Sequence, residues 1–166
     1  MLLRALALLL WLTVPAISLA EPPPLKDQYD EISSLKDFTG QPVLVIVVTT
    51  RKLRWIGRWE KSLRAKIPEL DSLRVADITD EPPPEITAVS EMLRKRVPEG
   101  ISIQIDMQNV WATEYQLDTS EPCLILFDAE HQVVATFRGR PKGALVNEVS
   151  NALQPYFPYT TETDPS

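Results

Sequence analysis

The sequence predicts an α/β sandwich built on a mixed sheet, and three observations carry that prediction. Val43–Val48 is a nearly continuous β-branched run, the pattern of a strand buried on both faces beneath helices. Directly after it the apolar residues recur at three- and four-residue spacing, and strand and helix patterns alternate from there on. The chain then presents two strand patterns in succession, Cys123–Phe127 and Gln132–Arg138, which the turn Asp128-Ala129-Glu130-His131 joins as a hairpin, so the sheet is mixed.

The elements follow in order. Ile56, Trp59, Leu63 and Ile67 mark one face of a helix that starts near Trp55 and stops before Pro68. Leu73–Thr79 reads as a second strand, and Glu81-Pro82-Pro83-Pro84 forbids a helix until Glu85. Ile86, Val89, Leu93 and Val97 form the next amphipathic stripe, closed by Pro98 and Gly100. Ile101–Ile105 alternates with period two, as a half-exposed strand does. Asp106 is placed to cap a short helix over Asn109–Leu117. Gly143–Leu153 closes the domain as a helix with Leu145, Val149, Ala152 and Leu153 on one face, and Pro155 ends it.

Both ends read differently from the middle. Residues 1–20 have the build of an export signal: Arg4, then the apolar run Ala5–Val14, then Ser18-Leu19-Ala20 as a cleavage site. The run is shorter than the roughly 20 apolar residues of a bilayer span, so the expectation is export with cleavage before Glu21 and no stable membrane insertion afterwards. The mature chain would then be periplasmic in a Gram-negative bacterium and secreted otherwise. Residues 21–34 read as a proline-containing linker, 35–155 as one domain, and 156–166 as a polar C-terminal tail.

Composition narrows the function classes. The chain carries 17 basic and 23 acidic side chains, a net charge of −6, and loss of Arg4 with the signal makes it more negative, which argues against nucleic acid as a partner. Cys123 is the single cysteine and His131 the single histidine, so no intramolecular disulfide is available and a zinc or copper site lacks its ligands. No cofactor is expected. Asp106, Asp128 and Glu130 stand at turns, where aspartate serves the backbone, and make no hydrolase constellation.

The segment Ile105-Asp106, Trp111, Tyr115, Pro122, Phe127-Asp128 and Gly139 resembles the second half of a thioredoxin-fold domain of the peroxiredoxin and TlpA-like branch. That resemblance implies a thioredoxin-like mixed sheet sandwiched by helices, with an α-β insertion between Thr79 and Asn109 before the cis-proline half. It implies a cis bond at Glu121-Pro122, lying against the first turn of the helix after Val43–Val48. It also puts Lys52 and Trp55 where a redox member carries its Cys-x-x-Cys pair. Thr49, Thr50 and Arg51 remain, yet no cysteine lies between Thr49 and Trp59, so the peroxidase nucleophile is missing.

The resulting expectation is an exported, non-redox thioredoxin-like protein that binds a protein or peptide partner. Its candidate face is Thr50, Arg51, Lys52, Arg54 and Trp55 together with Glu121 and Pro122. The basic residues flank a helix start, where an acidic segment, a carboxylate or a phosphate is favoured, although they also read as a solvated face balanced by acids such as Glu60. Trp59 fits the core stripe, and Trp55 at the helix start is the better recognition residue. The alternative is a one-cysteine thiol oxidoreductase acting through Cys123 with an external thiol. Cys123 opens the apolar strand Leu124–Phe127, which favours packing over reactivity.

Overall fold

The computed structural model describes residues 21–157. The expected export signal and the tail from residue 158 lie outside those residues. Five strands form the main sheet: β3 (Val43–Thr49), β4 (Ser72–Asp77), β5 (Gln104–Asp106), β6 (Cys123–Phe127) and β7 (Val133–Arg138), preceded in the chain by β1 (Leu25–Lys26) and β2 (Ile32–Ser33). The spatial order is β5-β4-β3-β6-β7, with β3, β4 and β5 parallel and both β6 and β7 antiparallel to their neighbours. Four helices complete it: α1 (Arg54–Arg64), α2 (Ile86–Arg96), α3 (Val110–Glu114) and α4 (Gly143–Leu153).

The β-branched run of β3 sits at the centre because side chains on a strand alternate between faces. Leu44, Ile46 and Val48 join Ile56, Trp59 and Leu63 of α1, Val89 and Leu93 of α2, and Val149 and Leu153 of α4. Val43, Val45 and Val47 join Leu35, Trp111, Cys123 and Phe127 on the other face. Each fully buried Leu or Ile stabilises the fold by about 1.5–3 kcal/mol relative to exposure, so these two layers hold most of the hydrophobic stabilisation. Trp111, Tyr115 and Phe127 pack edge-on and tilted in the second layer, with centroids 5.4–6.2 Å apart.

Several boundaries differ from the sequence reading, each for a local reason. Residues 101–103 do not join the sheet. The Gln28 side chain takes up their backbone, its Nε2 donating to Ile101 O (2.6 Å) and its Oε1 accepting from Ile103 N (2.9 Å), so only Gln104–Asp106 remain to pair, and they are buried. Helix α3 is shorter than expected because Gln116 adopts a left-handed φ of 51°. Asp106 caps it as anticipated, with Oδ1 accepting from Val110 N and Oδ2 from Trp111 N.

The segment read as a linker holds β1 and β2 as a small antiparallel pair. Asp27 turns it by accepting from the N–H groups of Tyr29 and Glu31, and bridges Gln104 at the outer edge of β5. Buried polar side chains, invisible to hydrophobic periodicity, tie it to the domain. At the other end Tyr156 and Phe157, expected in the tail, pack against the core. The expected cis bond is a correction: Glu121-Pro122 is trans, and the cis peptide bond among the described residues is Glu81-Pro82. Pro122 opens β6 in the ordinary way, its carbonyl accepting from Gly139 N at 2.8 Å.

Candidate functional site

Strand β3 delivers the chain into a short 3-10 turn, Thr50–Lys52, from which α1 departs. The end of β4 and the loop before β6 flank that turn. The three segments enclose a hollow of about 270 Å³ lined by Thr49, Arg51, Lys52, Thr79, Asp80, Thr119 and Ser120. Arg51 crosses it to Asp80 at 3.1 Å. The acid that balances this basic turn is therefore Asp80. Glu60, expected in that role, is buried and committed to Arg74 at 2.7 Å, Arg64 at 3.6 Å and the Ser72 hydroxyl.

Trp55 is half-buried at the start of α1, and three guanidinium groups surround its ring. Arg54 and Arg58 approach to 5.1 and 4.7 Å of the centroid from the same helix, and Arg140 to 5.2 Å from beyond β7. An indole face attracts cations, so the four side chains form one cationic, aromatic surface. Arg140 also donates from Nε and Nη2 to the two carboxylate oxygens of Glu121, at 3.1 and 3.2 Å. The structure thus brings Trp55 and Glu121 together through a residue the sequence reading did not single out.

Pro122 belongs to the same neighbourhood but not to the exposed surface. It is buried, and its carbonyl already pairs with Gly139. Pro122, expected on the candidate face, therefore offers no open backbone group to a partner, and the accessible contribution of this segment is the Glu121 side chain. Arg138 braces the preceding loop, donating to Asp118 O, to the Asp118 carboxylate and to the Ser120 hydroxyl. The Asp118 carboxyl is held below its ordinary range, chiefly by the hydrogen bond from Ser120, with Arg138 and Lys52 adding to it.

Gly139 anchors the whole arrangement. Its N–H reaches Pro122 O, and its carbonyl accepts from the Trp59 indole Nε1 at 3.1 Å, joining the end of β7 to β6 and α1. Its φ of +136° favours glycine, and a Cβ there would also need Leu145 Cδ2, 3.0 Å away, to shift by a few tenths of an ångström. Arg140 inherits its position from this residue. Trp59, at 0% exposure, is core, as its place in the helical stripe predicts.

The single thiol lies beneath the site rather than in it. Cys123 is 2% exposed, and its Sγ faces the carbonyls of Asp118 (3.4 Å) and Glu121 (3.5 Å). Burial pushes it up to about 11; Arg138 opposes that rise, and Asp118 and Asp77 add to it. A thiol in that range is protonated near neutral pH, the opposite of an activated nucleophile. Nearby, Asp77 is fully buried, with Oδ2 accepting from the Thr119 hydroxyl at 2.7 Å and Oδ1 unpartnered among the described residues. Desolvation raises its pKa, the Thr119 bond works the other way, and Asp106 raises it further.

Among the described residues no cluster of His, Cys, Asp or Glu is arranged to hold a metal ion, and no helix is long and apolar enough to cross a membrane. The partners of Trp55 were only partly legible. Arg58 stands three residues on along the helix, where side chains meet, but no spacing rule connects Arg140 to position 55.

No protein-family model and no curated protein sequence matches the chain. Solved structures do. The pneumococcal exposed lipoprotein thioredoxin of Streptococcus pneumoniae strain TIGR4 superposes with a TM-score of 0.63 at 12% identity, covering 78% of this chain and 98% of its own. A Chlorobium tepidum structure named for the thiol:disulfide interchange protein DsbE gives 0.62 at 15%, covering 84% and 99%. A secreted disulfide oxidoreductase of Mycobacterium tuberculosis gives 0.55 at 12%, covering 81% and 96%. The fold is thioredoxin-like, on a chain with one cysteine and hence without a Cys-x-x-Cys pair.

Proposed function

Taking a thioredoxin-like scaffold without its thiol pair as the premise, we propose that this chain is an exported, non-redox protein that holds a protein or peptide partner on the face made by Thr50–Trp55 and Glu121. The observation that carries the reading is the group around Trp55. Where the resemblance places two thiols, the chain has Lys52 and Trp55, and Arg54, Arg58 and Arg140 gather on the indole. On a chain of net charge −6 this concentration of cations is local, and it suits an acidic segment bearing an apolar or aromatic side chain. Fold alone does not assign a role, so the reading rests on the site.

Export is supported by the leader-like residues 1–20 and by the names of neighbours that are an exposed lipoprotein and a secreted protein. The one-cysteine oxidoreductase reading draws no support from the buried, raised thiol of Cys123. The test is capture from a native envelope extract, with a photo-crosslinking residue at position 52, which leaves Trp55 in place, and, in a control, at the exposed position 95 on α2. The reading expects a discrete adduct from position 52 alone, weakened by salt because the contacts are charged. Equal adducts from both positions, or none from position 52, would contradict it.

A further inference from the structure

A second concavity shares Arg51 with the hollow at the 3-10 turn. It measures about 420 Å³ and lies between the first turns of α1 and the segment joining α2 to β5. Leu53 and Ile56 line it from the helix, Val97 and Pro98 from the end of α2, and Ile101 and Ile103 from the approach to β5. The volume lies within the range of small-molecule pockets and exceeds what one inserted side chain fills. The walls are aliphatic, which favours an alkyl body over a hydrated ion.

The polar groups at this cavity are unequal. Glu60 lines it, but its carboxylate is engaged by Arg74, Arg64 and Ser72. Arg51, Arg54 and Arg96 line it as exposed side chains. Arg51 is paired with Asp80 and Arg54 rests against the Trp55 ring without an ion pair, while Arg96 has no ion pair or side-chain hydrogen bond among the described residues. The uncommitted charge at the mouth is therefore positive.

Gly57 is the remaining feature. It stands inside α1, where glycine weakens a helix, with an ordinary φ and no close approach that demands it. A Cβ built there meets nothing within 4 Å, and the residue lines the cavity. Its effect is to leave one wall open.

We propose that this cavity binds an aliphatic carboxylate, the alkyl chain lying among Ile56, Val97 and Ile103 and the head group at Arg54 and Arg96. This site shares Arg54 with the partner-binding face but needs no protein ligand, and its test positions Gly57 and Arg96 lie outside that face, so each reading can fail without the other. The test is calorimetric titration of the mature chain, without partner, with decanoate, decanol and decyltrimethylammonium below their micellar concentrations. Decanoate is expected to bind saturably at one site, decanol roughly tenfold more weakly for want of one charge-assisted contact, and the ammonium not at all.

Gly57→Leu fills the open space and is expected to weaken decanoate about tenfold or more while the protein remains folded. Arg96→Gln, an exposed change that leaves the fold intact, is expected to weaken decanoate roughly fivefold and leave decanol unchanged. Absence of decanoate binding, equal binding of the three amphiphiles, or decanoate affinity untouched by both variants overturns the proposal.

Discussion

The guanidinium of Arg140 lies 5.2 Å from the centre of the Trp55 indole while its nitrogens hold the carboxylate of Glu121, so one side chain joins the helix start to the loop before β6. Both members of the Arg140–Glu121 pair are partly exposed, and exposed ion pairs contribute about 0–1 kcal/mol. The pair positions more than it stabilises. Glu121→Gln is expected to change unfolding free energy by less than about 1 kcal/mol, measured in urea, yet to weaken partner capture by releasing Arg140 from its orientation. A loss of several kcal/mol would show that the pair is instead structural.

Gly139→Ala is expected to destabilise the fold by about 1–3 kcal/mol, since the +136° φ is strained for any residue with a Cβ and the methyl meets Leu145. The same change displaces Arg140. Chemical denaturation reads the first effect, and loss of capture at temperatures well below the transition reads the second. A variant as stable as the parent would mean that the backbone there relaxes at no cost.

Trp59→Phe keeps the ring in the core and deletes the donor to Gly139 O. The expected cost is about 1 kcal/mol for the hydrogen bond, with a further contribution from the smaller ring. An unchanged denaturation midpoint would place no weight on that bond.

Cys123 is expected to resist thiol reagents at pH 7–8 in the native protein and to react at once in denaturant. Its folded pKa, about 11, lies above the unfolded thiol value of roughly 8.5. The thiol therefore favours the unfolded state progressively as pH rises between those values, and Cys123→Ala should flatten the loss of stability there. Rapid native labelling at pH 7 would contradict the burial argument.

Asp77 gives a second pH dependence with a definite sign. Its carboxyl is raised in the folded state, chiefly by desolvation, so the native protein binds the proton more tightly and loses stability as pH rises past the unfolded carboxylate range. Asp77→Asn removes that titration. The variant is expected to gain on the parent as pH rises above the unfolded carboxylate range of about 4, provided the Thr119 hydroxyl still finds its acceptor. A gap between the two that is constant with pH would show that Asp77 keeps an ordinary pKa.

Much of this fold is legible where burial imposes a period. Cys123–Phe127 and Gly143–Leu153 read from the sequence with their observed bounds because each must present apolar residues at strand or helix spacing. Polar anchors leave no such trace. Gln28, buried between Ile101 and Ile103, shortens β5 and binds the first strand pair to the domain, yet it sits in a segment that looks like a spacer. The site divides the same way. Trp55 and the cations beside it follow from one helix start, and their meeting with Glu121 follows from the resemblance, but Arg140 enters only through the backbone geometry at Gly139. The Glu121-Pro122 bond, expected cis from the resemblance, is trans, and no residue pattern in the sequence distinguishes the two isomers.

The central claim is that the face around Trp55 binds a partner without thiol chemistry, and the direct measurement is the captured partner's affinity for two variants beside the parent. With Cys123→Ser, affinity is expected to stay within about twofold of the parent and to be indifferent to reductant. With Trp55→Ala it is expected to fall roughly tenfold or more, the loss of a central aromatic anchor. Binding that vanishes with Cys123→Ser and survives Trp55→Ala would contradict the account.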